Sequence, residues 1–198
     1  VSSMQIPSLA ETPVNQLAEL LLDGVHVAHI DIGAVNATVS PTPSLFNKWW
    51  ENAPGFEAPK GDTTHAVFGV SPWLYGKQDG VWHSSWSRYA LDEADSVMWA
   101  GPSGIVKDSA YYRRYHQVWL LEQEQIDHHA QHFADADYEM PWAIASWPGN
   151  GNNANGEAAR LAPFADVDGN DLYEPASGDY PLIRGEQAAY WMLHGEQD

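Results

Sequence analysis

Residues 162–190 read APFADVDGNDLYEPASGDYPLIRGEQAAY, and the rest of the chain is best understood outward from them. Asp166, Asp168 and Asn170 place side-chain oxygens at alternate positions of an Asp-x-Asp-x-Asn run. Leu172 follows with its main-chain carbonyl, and Glu174 and Asp179 lie within reach further on. A tightly curved loop turns every second side chain inward, where a hard cation collects six to eight oxygens at about 2.3–2.6 Å. Gly169 lets the chain bend between ligands, and Pro175 and Gly178 set its return. The pattern predicts a calcium loop held by Asp166, Asp168, Asn170, Leu172, Glu174 and Asp179.

The same residue types also build ordinary acidic surface turns, so the spacing has to carry the argument. An EF-hand loop wants Gly at its sixth position and a bidentate Glu at its twelfth; this chain has Asp171 and Ser177 there. Asp enters the left-handed region more readily than most residues, so Asp171 is tolerable. The closing carboxylate then falls to Asp179, or to Glu174 in another geometry. Pro163 before the loop and Pro175 and Pro181 after it argue against flanking helices. The expectation is EF-hand-like chemistry without the EF-hand.

Composition agrees with a cation-binding surface. The chain has 198 residues, enough for a real core. Twenty-seven acidic against nine basic residues give a net charge of −18. Such a surface repels nucleic acid and anionic membranes and attracts cations. There is no cysteine, which removes disulfides and thiolate sites together. Calcium can supply the missing cross-link: a site with Kd near 10⁻⁴ M adds about 1.4 kcal/mol at ~1 mM calcium. No apolar run is long enough to cross a membrane.

Away from the loop, period-two apolar residues in Val25–Val39 suggest one or two strands. His65–Leu74 reads as a largely buried strand. Lys77-Gln78-Asp79-Gly80 reads as a hairpin turn with a return strand from Val81. Tyr111–Leu120 reads as another strand. A helix follows from about Leu121 to Phe133, with Ile126, Ala130 and Phe133 on one face. A shorter helix starts with Pro141 at its first position. Asn150–Glu157 is a polar loop, and Ala188–Leu193 is a strand in want of a partner. The predicted fold is mainly β, antiparallel and sandwich-like, with one or two short α-helices, long loops and calcium stabilisation. Residues 1–24 are expected as an extended lead-in, and 25–198 as a single β-rich module of a longer chain.

Several blocks together carry a likeness. They are Ser44-Leu45-Phe46, Gly55-Phe56-Glu57-Ala58-Pro59-Lys60-Gly61, His65–Trp73, Trp99-Ala100-Gly101-Pro102, Trp147-Pro148-Gly149-Asn150-Gly151, and the opening stretch through Tyr190-Trp191. In this order the chain resembles the N-terminal region of large secreted surface proteins of Bacteroidetes, the cargo of the type IX secretion system. The resemblance implies export to the medium or outer cell surface, a C-terminal sorting domain further along the full protein, and a module without assigned catalytic activity. Asp171 departs from the family pattern, where Gly is common, and a Cys expected around Ala110–Tyr112 is absent.

The function expected is therefore a non-catalytic structural or adhesive module whose partners are other domains of its own polypeptide or neighbouring copies. Carbohydrate binding through exposed Trp49, Trp50, Trp82 and Trp86 is the alternative, since the chain carries ten Trp and nine Tyr. Filling a core is the plainer use of such rings. A metal-dependent hydrolase is the third reading. His128 and His132 stand i, i+4 on the helix, with Asp127 or Asp135 nearby. However, His129 occupies the place of the Glu in a His-Glu-x-x-His motif. Asp92, Glu93 and Asp95 are the acid–base candidates that such an acidic chain also supplies without purpose.

Overall fold

A computed structural model describes residues 27–48, 51, 53–86 and 98–195 of the chain. Alternating residues over 28–39 make an antiparallel hairpin of β1 (Ala28–Ile32) and β2 (Val35–Val39), with Ile30 opposite Ala37. Gly33 takes the positive φ that this turn needs. Strand β2 also pairs with β5 (Phe56–Glu57), beyond the small ladder of β3 (Asn47–Lys48) and β4 (Ala53–Pro54). Next come the hairpin strands β6 (Trp73–Gln78) and β7 (Val81–Trp86), joined by Asp79-Gly80, both at positive φ. Strand β8 (Trp99–Ala100) is followed by helix α1 (Ser109–Tyr115), β9 (Trp119–Glu122), helix α2 (Gln123–His132) and helix α3 (Trp142–Ala145). The chain then forms β10 (Phe164–Ala165), β11 (Tyr180–Pro181), β12 (Gln187–Tyr190) and β13 (Leu193–His194).

The fold is mainly β, with 29% strand against 18% helix among the described residues, and the strand pairs are antiparallel. The Ala188–Leu193 segment finds its partners within the chain: β12 lies against β9, and β13 against β8. Three expectations fail. Over 65–72 the chain bends instead of running as a strand: Gly69 and Pro72 interrupt pairing, Val70 makes a lone bridge to Leu45, and Phe68 and Val70 are exposed. Ser109–Tyr115 is helical despite its aromatic, strand-favouring residues. The Asp108 side chain caps it by accepting the Ala110 and Tyr111 N–H groups, and Arg113 and Arg114 sit at its negative end. Pro141 lies one residue before α3 instead of inside it.

The core is built by aromatic residues of the second half. Trp119, Ile126 and Ile144 are almost wholly buried, and Trp147, Phe164 and Tyr173 close around them. Several of these rings place their polar atoms on main-chain acceptors, as burial favours. The Trp119 Nε1–H donates to Ser146 (3.0 Å to its carbonyl), that of Trp147 to the Pro163 carbonyl (3.2 Å), and the Tyr190 hydroxyl to the Leu161 carbonyl (3.0 Å). A smaller cluster of Ala28, Val39 and Val118 seals the first hairpin onto β9 and β12. No described helix is long and apolar enough to cross a membrane. The lead-in 1–24, Trp49, Trp50, Asp92, Glu93 and Asp95 lie outside the described residues.

Candidate metal centre

The acidic stretch is a loop closed at its base by two strands. Phe164 pairs with Pro181 and Ala165 with Tyr180, and the Leu182 N–H extends the base by donating to the Pro163 carbonyl. No helix flanks it on either side; the return runs through a 3₁₀ turn at Pro175–Ser177. Tyr173, at the middle of the loop, anchors it to the core. Its ring meets Phe164 edge-on, and its hydroxyl donates to the Ile144 carbonyl at 2.6 Å. Asn150 clasps the Tyr173 main chain from both sides, donating to its carbonyl (3.0 Å) and accepting its N–H (2.8 Å). At Gly149 a Cβ would stand 2.5 Å from the Tyr173 Cβ, so only glycine lets the two segments approach.

This base places three carboxylates together. Asp166, Asp168 and Asp179 each present one oxygen within 4.8 Å of the others. Oxygens bound to one cation at about 2.3–2.6 Å can stand no more than about 4.6–5.2 Å apart, so the spacing fits one calcium-sized ion. Main-chain donors orient each group. Asp179, fully buried, accepts the Val167 N–H on Oδ1 and the Glu174 N–H on Oδ2, both at 2.8 Å. Asp166 accepts the Asp171 N–H on Oδ2 (2.8 Å) and those of Gly169 (2.7 Å) and Asn170 (3.2 Å) on Oδ1. These bonds, led by that from Asp171, hold its carboxyl below the usual range and keep it ionised. Asp168 accepts the Asn170 N–H at 3.1 Å. Two acceptor sites per oxygen leave Oδ2 the freer oxygen of Asp166 and one site on each oxygen of Asp179.

Among the described residues no basic side chain pairs with any of the three. Taking a carboxylate out of water costs of order several kcal/mol, a cost that two N–H donors offset. A divalent cation between the three groups would replace mutual repulsion with attraction.

Of the other three expected ligands, Glu174 is not grouped with the three acids, while Asn170 and the Leu172 carbonyl are not acids and are placed by their hydrogen bonds. Asn170 donates its amide to Asp168 Oδ2 (3.0 Å) and Glu174 Oε2 (2.6 Å), while its oxygen accepts the Leu172 N–H (2.7 Å). Asn170 and Glu174 thus bond to each other, and the exposed Leu172 side chain lies on the loop's rim. Asp171 takes the left-handed φ that Asp tolerates, and Gly169, where the chain bends, is also at positive φ. Of the two candidate closing acids, Asp179 is the one grouped with Asp166 and Asp168.

The histidine helix divides its work. His129 is fully buried, with Nε2 3.0 Å from the Asp179 carbonyl and Nδ1 3.0 Å from the Tyr138 hydroxyl. A carbonyl only accepts, so Nε2 carries the proton and Nδ1 accepts from Tyr138. Burial pushes the imidazole below its usual pKa. His128 stacks on His132 at 4.5 Å, and His132 Nδ1 meets Asp135 Oδ2 at 2.8 Å. Among the described residues, His128, His132 and Asp135 do not converge as a group that could hold a metal ion. Sequence reading missed His129 and Asn150. His129 lies three residues after Ile126 and four before Phe133, on the apolar stripe of its helix, a placement that signals burial. Asn150 gave no such signal.

Of the four candidate sugar-binding tryptophans, Trp82 is 68% exposed on the β6–β7 hairpin and Trp86 lies in the same ladder. No protein-family model, no curated protein and no solved structure matches the chain.

Proposed function

We propose that this chain is a calcium-stabilised, non-catalytic structural or adhesive module of a secreted or cell-surface protein. Asp166, Asp168 and Asp179 would hold the ion, with main-chain carbonyls and water completing its shell. The ion supplies charge neutralisation and a cross-link. The loop then locks between β10 and β11, and Asp179 passes the order on to α2 through the His129 bond. The observation that carries the reading is the fully buried Asp179 carboxylate, aimed at two other carboxylates and paired with no cation among the described residues. The surface assignment draws on the likeness to secreted Bacteroidetes proteins and on the acidic composition. Thermal unfolding of the chain in millimolar calcium and in chelator tests it: the midpoint rises with calcium, and an unchanged midpoint counts against the reading.

Carbohydrate recognition is the second reading, favoured by the exposure of Trp82 beside Tyr75 and Trp73 on one hairpin.

A further inference from the structure

The β6–β7 hairpin carries the largest run of exposed rings among the described residues. Tyr75 is 81%, Trp73 73% and Trp82 68% exposed, and Leu74 and Val81 are exposed as well. The register sets Tyr75 opposite Ser84 and Lys77 opposite Trp82, so these four share one face. Three rings at such exposure present roughly 400–500 Å² of aromatic surface, as much as the largest apolar patch of a typical monomer, which is often a binding site.

Charge and ring geometry select the occupant. Within Trp73–Trp86 the charged residues are Lys77 and Asp79, which cancel, whereas the whole chain carries −18. A second copy or an acidic polymer is repelled by the body of the molecule, while a neutral ligand approaches without penalty. Tyr75 and Trp82 lie 6.3 Å apart with their planes tilted by 42°. A flat crystalline surface would meet one ring and miss the other. A single glycan chain, whose successive sugars turn relative to one another, can lay a C–H face on each. The electron-rich ring faces attract those hydrogens. The Lys77 Nζ lies over the Trp82 ring, 5.7 Å from its centre, and its N–H groups can also donate to sugar hydroxyls beside that ring.

We infer that the Tyr75–Trp82 face of this hairpin binds a soluble, neutral polysaccharide chain. It deepens the second, carbohydrate reading, on which it rests, and it is independent of the metal.

Native electrophoresis of the whole chain, in calcium, through gels containing mixed-linkage β-glucan, glucomannan, xyloglucan or dextran tests it. At least one gel retards the protein, and the Tyr75→Ala/Trp82→Ala variant runs unretarded with its calcium-dependent melting intact. Trp82→Ala alone serves the same comparison should the double variant melt early. Four overturning outcomes stand apart: no retardation in any gel, retardation unchanged by the substitutions, binding to insoluble cellulose only, or a wild-type dimer in sedimentation that the double variant dissolves. Each leaves the calcium shift standing, whereas loss of that shift with retained glycan binding sinks the metal reading alone.

Discussion

Replacing Asp179 by Asn separates the structural from the ionic role of the buried carboxylate. The amide keeps the shape but can accept only one of the two N–H groups, from Val167 and Glu174, that the carboxylate now satisfies. Leaving the other unpaired costs about 1–3 kcal/mol. In chelator, part of this is returned, because a buried charge and its repulsion from Asp166 and Asp168 disappear together. In calcium the variant also forfeits the ligand linkage, about 1.4 kcal/mol at ~1 mM for a Kd near 10⁻⁴ M. For a chain of this size that increment corresponds to roughly 3–6 °C in Tm. Four melts decide it: wild type and Asp179→Asn, each with calcium and with chelator. The wild type should gain a few degrees from calcium and the variant none. Equal calcium increments in both proteins, or no increment in the wild type, would refute the assignment of Asp179 as the closing ligand.

Tyr173→Phe removes the donor to the Ile144 carbonyl and should cost about 1 kcal/mol in urea unfolding while leaving the apolar contact with Phe164 in place. Gly149→Ala drives a methyl group into Tyr173, and overpacking of about 1–3 kcal/mol should also blunt the calcium shift, because Tyr173 fixes the middle of the loop. His129 is buried neutral with its pKa lowered, so the unfolded chain binds a proton that the folded one resists as pH falls below about 6.5. Stability in chelator should therefore drop between pH 7.5 and 5.5, by up to about 1.4 kcal/mol per pH unit below that point, and His129→Gln should show a shallower slope. Parallel slopes in the two proteins would assign the pH dependence to other groups.

The alternation of Asp166 and Asp168, the demand for a left-handed residue at Asp171 and the absence of flanking helices were legible in sequence, because they follow from local backbone geometry. Strand character over 28–39, the β6–β7 hairpin and helix α2 were legible for the same reason: period and turn residues act over a few positions. Reading failed where a local cap outvoted side-chain preference, as Asp108 does at the start of α1. It failed again at 65–72, where a proline and a glycine emptied an apolar run of its partners.

By itself, then, the sequence determined that an acidic, oxygen-rich bend would exist and that a β-rich chain would carry it. Tertiary structure decided which oxygens converge. Asp179 meets Asp166 and Asp168 because β10 pairs with β11 and Tyr173 is held by Asn150 and Ile144, whereas Asn170 and Glu174 satisfy each other at the rim. Ligand spacing along a chain sets which groups can reach a common point. The long-range contacts that close the loop, and the hydrogen bonds that occupy competing lone pairs, set which of them do.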